Sequence, residues 1–188
     1  CDLLSATGRK FLRGPRGSGF LYARQGKLEQ LVPPFIDLHS AKWIGREVYE
    51  IRPDARRFEN WENNYAAKIG LGVAVDYALA LGMEPIWERL SSLAAHLRES
   101  LSNIPGVTVH DLGRVKGGIV TFAVEGHAAV AIKEQLQAQQ INTSTTTVFS
   151  TRLDMEARQL PDLVRASLHY FNTEEEIGRF CEVLNGLM

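Results

Sequence analysis

Thr7-Gly8-Arg9-Lys10 places a hydroxyl, a guanidinium and an ammonium on four consecutive residues. A lysine forms a Schiff base best when its position is fixed and its ammonium is partly desolvated, which lowers its pKa. A threonine hydroxyl and an arginine fork are the donors that a phosphate monoester takes. Glycine at position 8 permits a tight backbone that turns all three groups to one ligand. A nucleotide-phosphate loop needs the order Gly-x-x-x-x-Gly-Lys-Ser/Thr, which this stretch lacks. The plain alternative is a solvated connection between two strands. Arg165, in Val164-Arg165-Ala166-Ser167, is the second candidate. A guanidinium grips a carboxylate with two parallel hydrogen bonds, or on a strand edge it simply pairs with Asp or Glu.

These groups need elements to hold them. Residues 1–6 and Phe20–Ala23 are apolar and predict two strands, joined by a turn-rich loop with Gly8, Gly14, Gly17 and Gly19. Residues 25–64 show no sustained period. An Ala-rich helix follows from Tyr65 to Leu81 with Gly82 as its stop, then a second helix from Glu84 to Ser102. Ile86, Leu90, Leu93, Leu97 and Leu101 make one stripe on it. Strands are predicted at Val107–Leu112, Gly118–Val124, Ile141–Thr147 and Val164–Tyr170, with a helix at Ala128–Gln139. Thr173 and Glu176 form a capping-box signature for a last helix. The fold class is therefore α/β at the start, read as the edge of a larger domain, plus a small C-terminal α+β domain. That small domain has a short antiparallel sheet covered by helices. The divisions fall at 1–65, at linking helices 66–104, and at 105–188.

The stretch Ser5-Ala6-Thr7-Gly8-Arg9-Lys10-Phe11-Leu12-Arg13-Gly14-Pro15-Arg16-Gly17-Ser18-Gly19-Phe20-Leu21-Tyr22 resembles the cofactor-lysine segment of the class V aminotransferases. That family includes cysteine desulfurases, selenocysteine lyases and isopenicillin N epimerase-like proteins. The stretch Val164-Arg165-Ala166-Ser167-Leu168-His169-Tyr170-Phe171-Asn172-Thr173 resembles the family's Arg-x-Ser strand, which leads into the last helix. The resemblance implies pyridoxal 5'-phosphate (PLP) as cofactor, with residues 1–65 as the end of the PLP-binding large domain. It implies Lys10 as the residue holding PLP as a Schiff base, and Thr7 and Arg9 as phosphate contacts. Arg9 stands where the family often has His; it keeps the donor and adds charge. Arg165 is implied as the clamp on the substrate's α-carboxylate.

Arg57-Phe58-Glu59 resembles a further family segment, one that in desulfurases leads to a threonine reaching the neighbouring subunit's cofactor phosphate. Glu62 falls there instead, so the phosphate role is not carried over, and Trp61 is expected on a subunit interface. Desulfurases also place a nucleophilic cysteine on the loop before the Arg-x-Ser strand. Residues 143–154 contain none, and Cys181 falls in the last helix as a structural residue. The implied enzyme transforms an amino acid or a similar small molecule, by transamination, epimerisation or β-elimination. The alternatives are a lyase or desulfurase-like activity without the loop cysteine, and a non-catalytic dimerisation or scaffold module.

Composition fits this reading. Of 188 residues, 45% are hydrophobic and 23% charged, and the net charge of −1 gives no general pull towards nucleic acid or anionic lipid. No apolar run approaches the ~20 residues of a membrane helix. Two cysteines give no disulfide framework and suit a reducing cytoplasm. Arg52, Arg56 and Arg57 read as a solvated basic knot. The chain opens on Cys1 in what reads as a strand already under way, so a C-terminal fragment is expected, one that is itself inactive and whose intact form is a homodimer.

Overall fold

The computed structural model describes residues 1–187. The chain divides into two compact units, Cys1–Leu81 and the remainder from Gly82. The stretch 66–104, read above as linking helices, is split by this boundary: its first helix belongs to the first unit and its second to the other.

In the first unit, strand β1 (Leu3–Thr7) pairs antiparallel with β2 (Gly19–Ala23), with Thr7 opposite Gly19. Leu3, Leu4, Phe20, Leu21 and Tyr22 are about half exposed, so this ribbon shows apolar side chains on both faces. That is the pattern of strands covered on both sides in larger sheets. The stretch 25–64 is more regular than its sequence suggests. It contains 3-10 turns at Gln25–Gln30 and Ala55–Phe58 and a hairpin of β3 (Ala41–Gly45) and β4 (Val48–Ile51). The hairpin turns at Arg46-Glu47, which carries none of the Asn-Gly or Gly-Asp signals that betray tight turns. Helix α1 (Tyr65–Leu81) closes the unit, capped by Asn64, whose Oδ1 accepts from Ala67 N at 3.0 Å.

The second unit is a four-stranded antiparallel sheet with helices. Its strands are β5 (Val107–Val109), β6 (Ile119–Val124), β7 (Ser144–Thr146) and β8 (Leu163–Ser167), in the order β5-β6-β8-β7. Helices α2 (Met83–Ser102), α3 (Ala129–Ala138) and α5 (Glu174–Asn185) cover one face. They bury Leu93, Leu97, Leu101, Ile132, Leu136, Ile177, Phe180 and Leu184 against Val120, Phe122, Val124, Val164 and Ala166. The predicted capping box is formed, with Thr173 Oγ1 accepting from Glu176 N and the Glu176 carboxylate accepting from Thr173 N.

The segment expected as a loop, 143–154, is largely helix α4 (Val148–Ala157). Its Thr-rich start argues against a helix locally. Burial of Met155 and the i,i+4 pairs Arg152–Glu156 and Arg158–Asp154 hold it, with a non-helical Thr151 (φ −144°, ψ 48°) breaking the first turn.

Candidate functional site

In the first unit, Lys10 stands in the connection between β1 and β2. Gly8 N donates to Ser18 O (2.9 Å), Gly14 N to Gly8 O (2.9 Å) and Arg13 N to Lys10 O (3.0 Å), so the connection is a laced double turn. Helix α1 braces it. A Cβ on Gly8 would lie 2.6 Å from Leu71 Cδ1, and one on Gly70 would lie 2.8 Å from Pro15 Cγ. The Arg13 guanidinium lies over the Tyr77 ring, 5.3 Å from its centroid. The glycine at 8 is thus explained by close packing, not by a left-handed backbone; in this loop that conformation falls to Arg13 (φ 59°) and Gly17 (φ +79°).

Thr7, Arg9 and Lys10 are exposed around the buried Gly8, and no described carboxylate pairs with Arg9 or Lys10. One hydroxyl and two uncompensated cations on four residues match the donor set of a phosphate monoester with a carbonyl carbon beside it. PLP is such a compound, and these residues fit it.

The segment before α1 is fastened from behind. Arg57 is only 7% exposed and donates to Arg52 O (2.7 Å), Leu31 O (3.1 Å) and Leu28 O. The expected solvated basic knot is therefore wrong for Arg57: backbone carbonyls satisfy its guanidinium, which lets it be buried. Asp37 Oδ2 accepts from Trp61 N at 2.7 Å, and Asp37 Oδ1 accepts from His39 N and Ser40 N. The Trp61 amide first, and then the other donors, hold the Asp37 carboxyl down to about 2. Glu59 lies 3.1 Å from His39 Nε2 and 3.5 Å from Lys68 Nζ. Glu62 is exposed just ahead of the Asn64 cap. The sequence held a signal for this hub, since Asp37-x-x-Ser40 is an Asx-turn pattern.

In the second unit, Arg165 is not on an edge. Strand β8 lies between β6 and β7, and Arg165 faces Thr121 on one side and Ser144 on the other. Alternation puts it on the face away from Val164, Ala166 and the helices. Arg89, Arg98, Arg152 and Arg158 each hold a carboxylate. Arg165 holds none among the described residues, and its Nε is buried without an acceptor. The alternative of an edge arginine paired with an acid is excluded on both counts. Cys181 is half buried against the core, where burial pushes its thiol up, partly offset by a hydrogen bond to Ser100. Among the described residues no group of His, Cys, Asp and Glu could hold a metal, and no single helix is long and apolar enough to cross a membrane.

The fold is shared with solved cysteine desulfurases and C-S lyases. The apo cysteine desulfurase of Thermococcus onnurineus NA1 matches with a TM-score of 0.88 at 25% identity, over 100% of this chain and 47% of that one. The cystine C-S lyase C-DES, in complex with its product cysteine persulfide, matches at 0.80 and 26%, over 98% and 46%. C-DES has also been solved with glycine covalently linked to its PLP cofactor. A probable cysteine desulfurase of Xylella fastidiosa (strain Temecula1 / ATCC 700964) is 32% identical over 191 residues, 98% of this chain and 44% of its own length. The chain belongs to the aminotransferase class-V family, whose profile it matches over residues 1–180. It spans somewhat under half the length of these relatives.

Proposed function

We propose that the whole protein carrying this chain is a PLP-dependent enzyme acting on an amino acid or a close analogue, working as a homodimer. Lys10 supplies the amine that holds the cofactor and, once released, takes or returns the proton at the substrate's Cα. Thr7 and Arg9 donate to the phosphate. Arg165 fixes the substrate's α-carboxylate and so orients the Cα–H bond. PLP, when bound, supplies the electron sink for the bond that breaks at Cα.

The observation that carries this reading is Arg165: an inner-strand arginine with a buried, unengaged Nε and no carboxylate partner among the described residues. A scaffold descendant has no use for such a group. The relatives are desulfurases, but residues 143–157 hold no thiol and Cys181 belongs to α5. Persulfide formation on a loop cysteine is therefore not part of the proposal. Transamination, epimerisation and β-elimination share the steps assigned here. The test is to supply the whole protein with PLP and a panel of amino acids, and to assay oxo acid, inverted enantiomer and released β-substituent. Turnover of one of these supports the reading. Bound PLP with no turnover of any amino acid would favour the scaffold.

A further inference from the structure

Arg165 has an acid close at hand that does not hold it. Thr121 is its direct cross-strand neighbour, on the same face of the sheet. Directly opposed side chains in an antiparallel pair start about 4.5–5.5 Å apart at Cβ. The Thr121 hydroxyl and backbone N–H both donate to Asp111 Oδ1, at 2.8 and 2.9 Å. The Asp111 carboxylate is thus bound to the residue that faces Arg165 across the strands, one side chain away. A free carboxylate there would be the natural counter-ion for Arg165.

Asp111 is not free. Arg98 Nε donates to its Oδ2 at 2.7 Å, and the two side chains are only 14% and 10% exposed. Arg98 is itself aimed by backbone: its Nη2 donates to Gly117 O (2.7 Å) and Ile119 O (3.0 Å). Both Asp111 oxygens are therefore occupied, one by Thr121 and one by Arg98. Elsewhere in this unit Asp154, Glu156 and Glu174 are likewise paired with Arg158, Arg152 and Arg89.

We propose that Arg98 is a positioning residue for the Arg165 site: by pairing with Asp111 and neutralising its charge, it keeps that carboxylate from capturing Arg165. This rests on the reading of Arg165 as the carboxylate clamp. A substrate carboxylate and Asp111 would compete for one guanidinium, and Arg98 decides the competition by engaging Asp111 permanently. A largely buried carboxylate stripped of its partner is costly to leave unpaired. Without Arg98, Arg165 across Thr121 is the guanidinium, unpaired among the described residues, that would satisfy it; Arg158, whose Nη2 donates to His110 O at 2.6 Å, is already held by Asp154.

The test uses Arg98→Met, Asp111→Asn and the double variant. In the 188-residue chain, modification of Arg165 by phenylglyoxal, mapped by peptide mass, reports whether its guanidinium is engaged and needs no cofactor. Arg98→Met should slow it about tenfold, the factor that ~1.4 kcal/mol of added attraction makes. Asp111→Asn in the same chain should restore it. Arg98→Lys keeps a charge on Asp111 without the aimed fork and should fall between, which covers the case in which Arg98→Met does not fold. In the whole protein, Arg98→Met should raise KM for the amino acid by a like factor with kcat little changed, and the double variant should recover. Equal labelling of Arg165 in all variants, or protection in Arg98→Met that Asp111→Asn does not relieve, overturns the proposal. The expected labelling pattern with an unmoved KM would instead overturn the clamp reading of Arg165.

Discussion

Leu71 Cδ1 occupies the place that a β-carbon on Gly8 would take, with 2.6 Å between the two positions. Helix α1 therefore sets the height of the lysine loop, and glycine at 8 is a packing requirement. Gly8→Ala should lift the loop or push the helix, costing about 1–3 kcal/mol as overpacking usually does. Leu71→Ala in the same chain should relieve much of that loss. Thermal unfolding of the unsubstituted chain, the two single variants and the double checks it; additive losses would show that the two residues do not share this space.

Arg165→Lys should leave PLP binding intact and reduce kcat/KM for the amino acid by orders of magnitude. An ammonium cannot reproduce a two-pronged grip on a carboxylate. Removing one partner of a buried charge pair costs about 3–5 kcal/mol, part of it the penalty on the carboxylate left behind. The corresponding amine without the carboxylate should be affected far less. Equal losses for both, or loss of the cofactor spectrum, would assign Arg165 to the fold or to the cofactor.

Asp37 should make the segment before α1 sensitive to strong acid. Its carboxyl is held at about 2, below the ordinary 3.8, chiefly by the Trp61 amide. A depressed carboxyl pKa contributes stability that is fully present above about pH 4 and lost as pH falls through about 2. The Trp61 backbone amide resonance should titrate with a midpoint near 2, and Asp37→Asn should abolish that step. A midpoint near 3.8 would mean that the hydrogen bond does not persist in solution.

Cys181 should be dispensable and slow to react. Burial raises its thiol pKa, so it alkylates through a scarce thiolate, whereas Cys1 is exposed. Iodoacetamide should label Cys1 well before Cys181, and Cys181→Ser in the whole protein should keep turnover within severalfold. A loss of several orders of magnitude would give that thiol a part in the chemistry.

The local signals in the sequence proved reliable where one residue carries the physics. Thr173 and Glu176 announced α5, and Gly82 (φ +91°) marked the end of α1. What stayed hidden depends on partners distant in the chain. Arg57 looks like a solvated arginine until the carbonyls of Leu28, Leu31 and Arg52 surround it. Helix α4 has a β-branched start and exists because Met155 finds a buried place. The availability of Arg165 follows from sheet order and from Arg98 holding Asp111, 13 residues apart in sequence, which no local pattern displays.

Every step proposed at the cofactor requires Lys10 to be the residue that holds PLP. Borohydride reduction of the whole protein loaded with PLP, followed by peptide mapping, tests this directly. The expected result is a phosphopyridoxyl group on Lys10 in near-stoichiometric yield, with no such label at that yield anywhere in Lys10→Ala. A label on another lysine, or an unchanged yield in Lys10→Ala, would contradict it.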